Sequence, residues 1–168
     1  MVIDMIIYHG SIVAVDTPKI LHSNRKLDFG EGFYTTSNRE QAVSWAQTVA
    51  ARRETAAQFI SVYEFGLKEA LMNLSVVRFD EPDEAWLDFI CMNRGGREKP
   101  GWYDMVLGPV ADDNVYAVVQ FYENGVYDKD EALKRLKVEK LYDQILFHTE
   151  KSLAYCRFLS CEALGGSA

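Results

Sequence analysis

The sequence predicts a single α+β domain, residues 1–168, built on a mixed or antiparallel sheet. Apolar runs of strand length and stretches of helical periodicity do not alternate strictly, which disfavours a doubly wound parallel sheet. There is no internal repeat, low-complexity tract or Pro/Gly/Ser-rich linker at which to divide the chain. A content of 48% hydrophobic and 26% charged residues over 168 positions is that of one compact domain with a sizeable core.

The elements follow in chain order. MVIDMIIYHG, residues 1–10, is apolar but interrupted by Asp4 and lacks a basic leader. It reads as a buried first strand, too short for a signal peptide or a membrane span. Residues 16–30, DTPKILHSNRKLDFG, are polar and loop-like, whereas GFYTT at 32–36 has the aromatic and β-branched character of a short strand. Ser37 and Glu40 show the S-x-x-E spacing of a capping box. With Ala42, Ala46, Val49 and Ala50 at helical spacing, they predict a helix over about residues 38–55. FISVYEFGL and NLSVVRF read as two strands. Pro82 suits a first helical turn, and Ala85, Trp86, Phe89 and Ile90 form a stripe that stops near Gly95-Gly96. WYDMVLGPVA is a strand. Val115, Val118, Val119 and Tyr122 mark a helix closed by Gly125, and Asp128 with Glu131 caps another that runs to about Leu136. KLYDQILFHT is a late strand, followed by a short helix from Glu150 and a last strand near RFLSCEAL.

Composition excludes several classes of function. Eighteen Lys and Arg against 25 Asp and Glu give a net charge of -7, which argues against a broad grip on nucleic acid phosphates while leaving a local basic patch open. Cys91, Cys156 and Cys161 are an odd number without C-x-x-C or histidine at ligand spacing. Neither a disulfide framework nor a metal site is predicted, and a reducing cytoplasm is the expected location.

The stretch LDFGEGFYTT raises the question of a phosphate cradle, which its order answers. Gly30 and Gly32 precede the strand instead of joining strand to helix, and no third glycine or lysine follows, so neither a dinucleotide fingerprint nor a P-loop is present. A tight turn with Tyr34 as one more packed aromatic is the bland alternative. YHGS, residues 8–11, sharpens the choice. His9 at a strand end is either a satisfied core histidine or a directed hydrogen-bonding group, and Gly10 permits close backbone approach to a ligand. A planar carboxamide could bond to that backbone while Tyr34 and Trp45 sandwich its ring, a description that nicotinamide fits.

His9-Gly10-Ser11, then GFYTT before a helix, then LYDQILFH, resemble the three-part signature of the ADP-ribosyltransferases of the poly(ADP-ribose) polymerase and diphtheria-toxin type. The resemblance implies a split β-sheet with flanking helices, NAD as substrate, and NAD-binding roles for His9, Gly10, Ser11, Tyr34 and Trp45. It implies that His9 holds the adenosine ribose, Gly10 the carboxamide, and that Tyr34 and Trp45 stack on nicotinamide. His9, Tyr34 and Gln144 would be the catalytic set. Gln144 stands where the family carries a glutamate; a neutral amide can orient a ribose hydroxyl but cannot offset an oxocarbenium charge. Transfer of a single ADP-ribose to an unknown acceptor is therefore expected over polymer formation, and an inactive NAD or ADP-ribose reader or a regulatory interaction protein is the alternative. FGEGFYTT, GPVADD and DQILFHT further resemble small bacterial proteins, some encoded as toxin–antitoxin partners, which implies an antitoxin as partner.

The remaining candidates have plain readings. Asp143 should face away from Gln144. Glu31 reads as a solvated loop carboxylate or a substitute acid, and Arg94 and Arg97 as a solvated turn or a guide for pyrophosphate. Asp112 and Asp113 cap a helix, as do His148 and Thr149. The resemblance implies that His22, Ser23, Asn24 and Arg25, between the first two motifs, cover the adenine side or meet the acceptor.

Overall fold

The computed structural model describes residues 4–21, 27–95, 103–110, 113–137 and 142–165. Within them the chain is a mixed α+β fold of two small sheets and six helices. The first sheet is antiparallel, ordered β1 (Met5–Ser11), β3 (Phe59–Phe65), β7 (Cys156–Ala163). The second is ordered β2 (Phe33–Thr35), β6 (Asp143–Phe147), β5 (Met105–Pro109), β4 (Val76–Arg78), and only β4 and β5 run parallel. Among the described residues a single bridge joins the two sheets. The N–H of Tyr8 donates to the Thr36 carbonyl at 2.8 Å and the N–H of Thr36 returns to Tyr8 at 3.0 Å.

Alternation along the strands explains the layers. Ile7, Phe33, Tyr63, Phe65, Met105, Ile145 and Phe147 turn toward one another and bury the faces that the two sheets share. Val106 and Leu146 point the opposite way, onto α3 (Glu84–Arg94), α4 (Asp113–Glu123) and α5 (Lys129–Leu136), where Trp86 is fully buried and its indole N–H donates to the Pro109 carbonyl. On the far side α1 (Arg39–Arg52) lays Ala42 and Ala46 against Ile60 of the first sheet. Small residues on that stripe let the helix backbone come close to the strand, which matters at Gly10. Among the described residues no helix is long and apolar enough to cross a membrane.

Some local expectations change. The cap of α1 is Asn38, whose side chain accepts from the Gln41 N–H at 2.9 Å, and not Ser37. The Ser37 N–H is instead bonded to Asp143, so the S-x-x-E pattern is not used as a capping box. A helix α2 (Leu67–Asn73) stands between the strands read as FISVYEFGL and NLSVVRF. It is seven residues long, buries only Ala70, and is capped not by its N-cap Gly66 but by the distant Asp4, whose carboxylate accepts from the Leu67 and Lys68 N–H groups, so it carries almost no local or periodic signal. Pro82 precedes α3, which is capped by Asp83. α6 (Glu150–Leu153) is capped by Thr149, whereas His148 is packed edge-on against the Tyr103 ring at 4.8 Å. Asp112 and residues 22–25 lie outside the described residues, as does Arg97.

Candidate functional site

The two sheets part just beyond the Tyr8–Thr36 bridge, and a cleft of about 710 Å³ opens there. His9 closes one side. Its Nδ1–H donates to the Tyr34 carbonyl at 2.7 Å; a carbonyl can only accept, so the proton is on Nδ1 and Nε2 keeps its lone pair. Burial lowers the pKa of His9 below its usual value and outweighs the bond to Tyr34, so the ring is neutral at pH 7. The imidazole also rests on Phe33, ring centres 4.4 Å apart. His9 is thus half core residue and half cleft wall.

Tyr34 faces the cleft from β2, and its hydroxyl donates to the Gly30 carbonyl. Gly30 takes φ 87°, a left-handed conformation that glycine adopts without strain, and its N–H closes a turn onto the Leu27 carbonyl. At Gly32, φ is 153° and a Cβ would stand 2.2 Å from the Phe147 carbonyl oxygen. The two glycines of LDFGEGFYTT therefore build a turn packed on β6, and that turn anchors Tyr34 at the cleft.

Gly10 has two different surfaces. The space a Cβ would take is filled by α1, whose Ala42 carbonyl oxygen would be 1.9 Å away. The missing side chain thus admits the helix and not a ligand, which corrects the reason given for a glycine here. Its backbone edge is another matter. In an antiparallel pair, residues two apart present their N–H and C=O groups on the same side. Tyr8 directs both groups away from β3, to Thr36, so Gly10 directs its own away from β3, past the end of the bridge and at the cleft it lines. Ser11, next in the chain, does not line the cleft.

Gln144 enters from β6, on the same face as Leu146 and opposite to Asp143. Asp143 is occupied elsewhere, accepting from the Thr36 hydroxyl and the Ser37 N–H, both at 3.0 Å. Gln144 is 3% exposed, lines the cleft, and its Nε2 is buried without a hydrogen-bond partner among the described residues. Such an amide costs on the order of 1–3 kcal/mol unless a ligand satisfies it. Trp45, Val49 and Arg52 line the cleft from successive turns of α1.

The opposite side is helical. Arg94, at the end of α3, is 12% exposed; its Nε–H donates to Asp28 at 2.7 Å and its guanidinium lies 4.2 Å over the Tyr116 ring. Glu123 of α4 is 4.0 Å from the Arg94 Nη1. Burial pushes the Asp28 carboxyl up, and Arg94 opposes that shift. Arg94 is therefore no solvated turn residue. The signal was present in the sequence, since Arg94 falls four residues after Ile90 and eight after Trp86 and so continues the buried stripe of α3. Glu31 is not among the lining residues; among the described residues the carboxylates of the cleft are Asp28 and Glu123. Among the described residues, no group of three or more His, Cys, Asp or Glu side chains is arranged to hold a metal.

The fold and site define an α+β protein with a polar and aromatic cleft where two sheets diverge. A family model described as DUF3990, protein of unknown function, matches residues 5–158, and the chain belongs to that family. No curated protein and no solved structure matches it.

Proposed function

We propose that the cleft binds NAD and that the protein is a mono-ADP-ribosyltransferase with the split-sheet fold of that superfamily. The observation that carries this reading is the outward backbone edge of Gly10, set in one cleft with His9, Tyr34, Trp45 and Gln144. An N–H and a C=O side by side on one residue complement a carboxamide, which offers one acceptor and one donor in a plane. Tyr34 and Trp45 supply aromatic faces for the ring. The neutral His9, with Nε2 as acceptor, suits a ribose hydroxyl better than a phosphate. As nicotinamide leaves, Gln144 orients the second ribose, and the exposed carbon is held for an acceptor. The sequence resemblance extends the proposal to a cytoplasmic toxin restrained by an antitoxin.

The buried amide of Gln144 favours a second reading, a reader that holds NAD or ADP-ribose without cleaving it, because no carboxylate stands at that position to offset the developing charge. Two measurements separate the readings. Calorimetric titration with NAD and with nicotinamide should show saturable binding and raise the melting temperature. Labelled NAD incubated with protein and cell lysate should then mark an acceptor. Binding with no label in any acceptor selects the reader; a flat titration to millimolar NAD removes both.

A further inference from the structure

We infer that Arg94 is the phosphate-binding residue of the cleft, seating the diphosphate of a dinucleotide against the helical wall, an inference that rests on the NAD reading above. The guanidinium has five N–H donors. Nε–H is used by Asp28 at 2.7 Å, and Nη1 lies 4.0 Å from Glu123, beyond hydrogen-bonding distance. Among the described residues, the four Nη hydrogens therefore have no hydrogen-bond partner, on a residue that lines the cleft and is 12% exposed. Asp28 on one edge and the Tyr116 face beneath hold the planar group in place before any ligand arrives. With Nε–H on Asp28 and the Glu123 carboxylate 4.0 Å from Nη1, outside hydrogen-bonding reach, the guanidinium keeps its two Nη groups as parallel donors, the geometry that phosphate oxygens accept. Arg52, the other arginine of the cleft, is exposed at the end of α1 and has no such framing. The division of labour is chemical. The strand side offers neutral groups suited to a carboxamide and a hydroxyl, and the helical side offers a framed cation. The ligand class that uses both is a nicotinamide dinucleotide, in preference to free nicotinamide or its riboside.

The test uses the intact protein and two probes titrated separately by calorimetry, ADP-ribose, which carries the diphosphate, and nicotinamide, which does not. Arg94→Gln should weaken ADP-ribose binding at least tenfold and change nicotinamide binding less than twofold. Equal loss of both probes would assign Arg94 a structural role and overturn the inference, and so would no loss of either. If Arg94→Gln does not melt cooperatively, Arg94→Lys carries the test. It keeps the charge beside Asp28 but not the fork, and at least a threefold loss for ADP-ribose alone is expected, while an unchanged affinity overturns the inference. Wild-type protein that binds neither probe would remove the NAD reading itself. Wild-type binding with an indifferent Arg94 variant would remove only the assignment of Arg94.

Discussion

The two sides of the cleft are built on different physics. The strand side, with His9, Gly10, Tyr34 and Gln144, is neutral, and its groups are held by backbone bonds and sheet register. The helical side, with Asp28, Arg94, Tyr116 and Glu123, is charged, and an ion pair and a stacked ring hold it together. Residues of the first side are part of the fold's own framework, whereas the second is a set of largely buried charges closed by Tyr116, which is 45% exposed. Substitutions on the strand side should therefore disturb stability and binding together, and those facing the cleft from helices should disturb binding first.

Gly10→Ala breaks the comparison most directly. The new Cβ would meet the Ala42 carbonyl oxygen at 1.9 Å and the Ala46 nitrogen at 2.9 Å, both backbone atoms that cannot rotate aside. A loss of at least about 3 kcal/mol is expected, read from chemical denaturation. Wild-type stability in this variant would show that α1 does not rest on β1 as described.

Acid should attack the same side. Burial lowers the pKa of His148 to about 4, and its ring is bonded to the backbone of the turn that carries Gly30 and anchors Tyr34. Because the folded pKa lies below the unfolded value, the unfolded chain takes the proton first. Stability is full above pH 6.5 and falls as the pH approaches 4, by on the order of 3 kcal/mol. The shift of His9 has the same sign. Melting temperatures measured across that window should drop in the wild type and much less in His148→Gln; parallel curves would show that another group titrates.

Gln144→Glu sharpens the comparison by placing a charge on the neutral side. Nicotinamide release with water as acceptor should rise at least tenfold, equivalent to about 1.4 kcal/mol of barrier. Gln144→Ala is the control. If Glu and Ala are equally silent while both variants bind NAD, the reader hypothesis stands in place of the transferase.

The smallest effect is expected at Trp45, half-buried on α1. Trp45→Ala should weaken nicotinamide binding by roughly 1 kcal/mol, the value of an aromatic contact beyond burial, with little change in melting temperature. Unchanged affinity would place the stack elsewhere.

Much of the fold was legible because its signals are local. The period of α1, the Asp128 cap of α5, the left-handed Gly125 after α4 and the alternation of Asp143 and Gln144 all depend on neighbours within a turn or a strand pair. The failures share one cause. Ser37 has the spacing of a cap, but its N–H is taken by Asp143, 106 residues away, and the cap passes to Asn38. α2 is too short to show a period, since its one buried residue answers to tertiary packing.

By itself the sequence determined the strand motifs that carry the neutral side of the cleft. His9, Gly10, Tyr34 and Gln144 lie in compact motifs, and the pleat of a strand already dictates which neighbours share a face. Only the tertiary structure decided that the missing side chain of Gly10 serves α1 while its backbone edge serves the cleft. It alone placed Asp28 and Glu123, not Glu31, among the lining carboxylates, and framed Arg94, whose place on the α3 stripe the sequence already carried, between Asp28 and the Tyr116 ring. The physical reason is range. A strand motif carries its geometry in bonds between adjacent residues, but an ion pair across 66 residues between a loop and a helix exists only once the sheets and helices have packed.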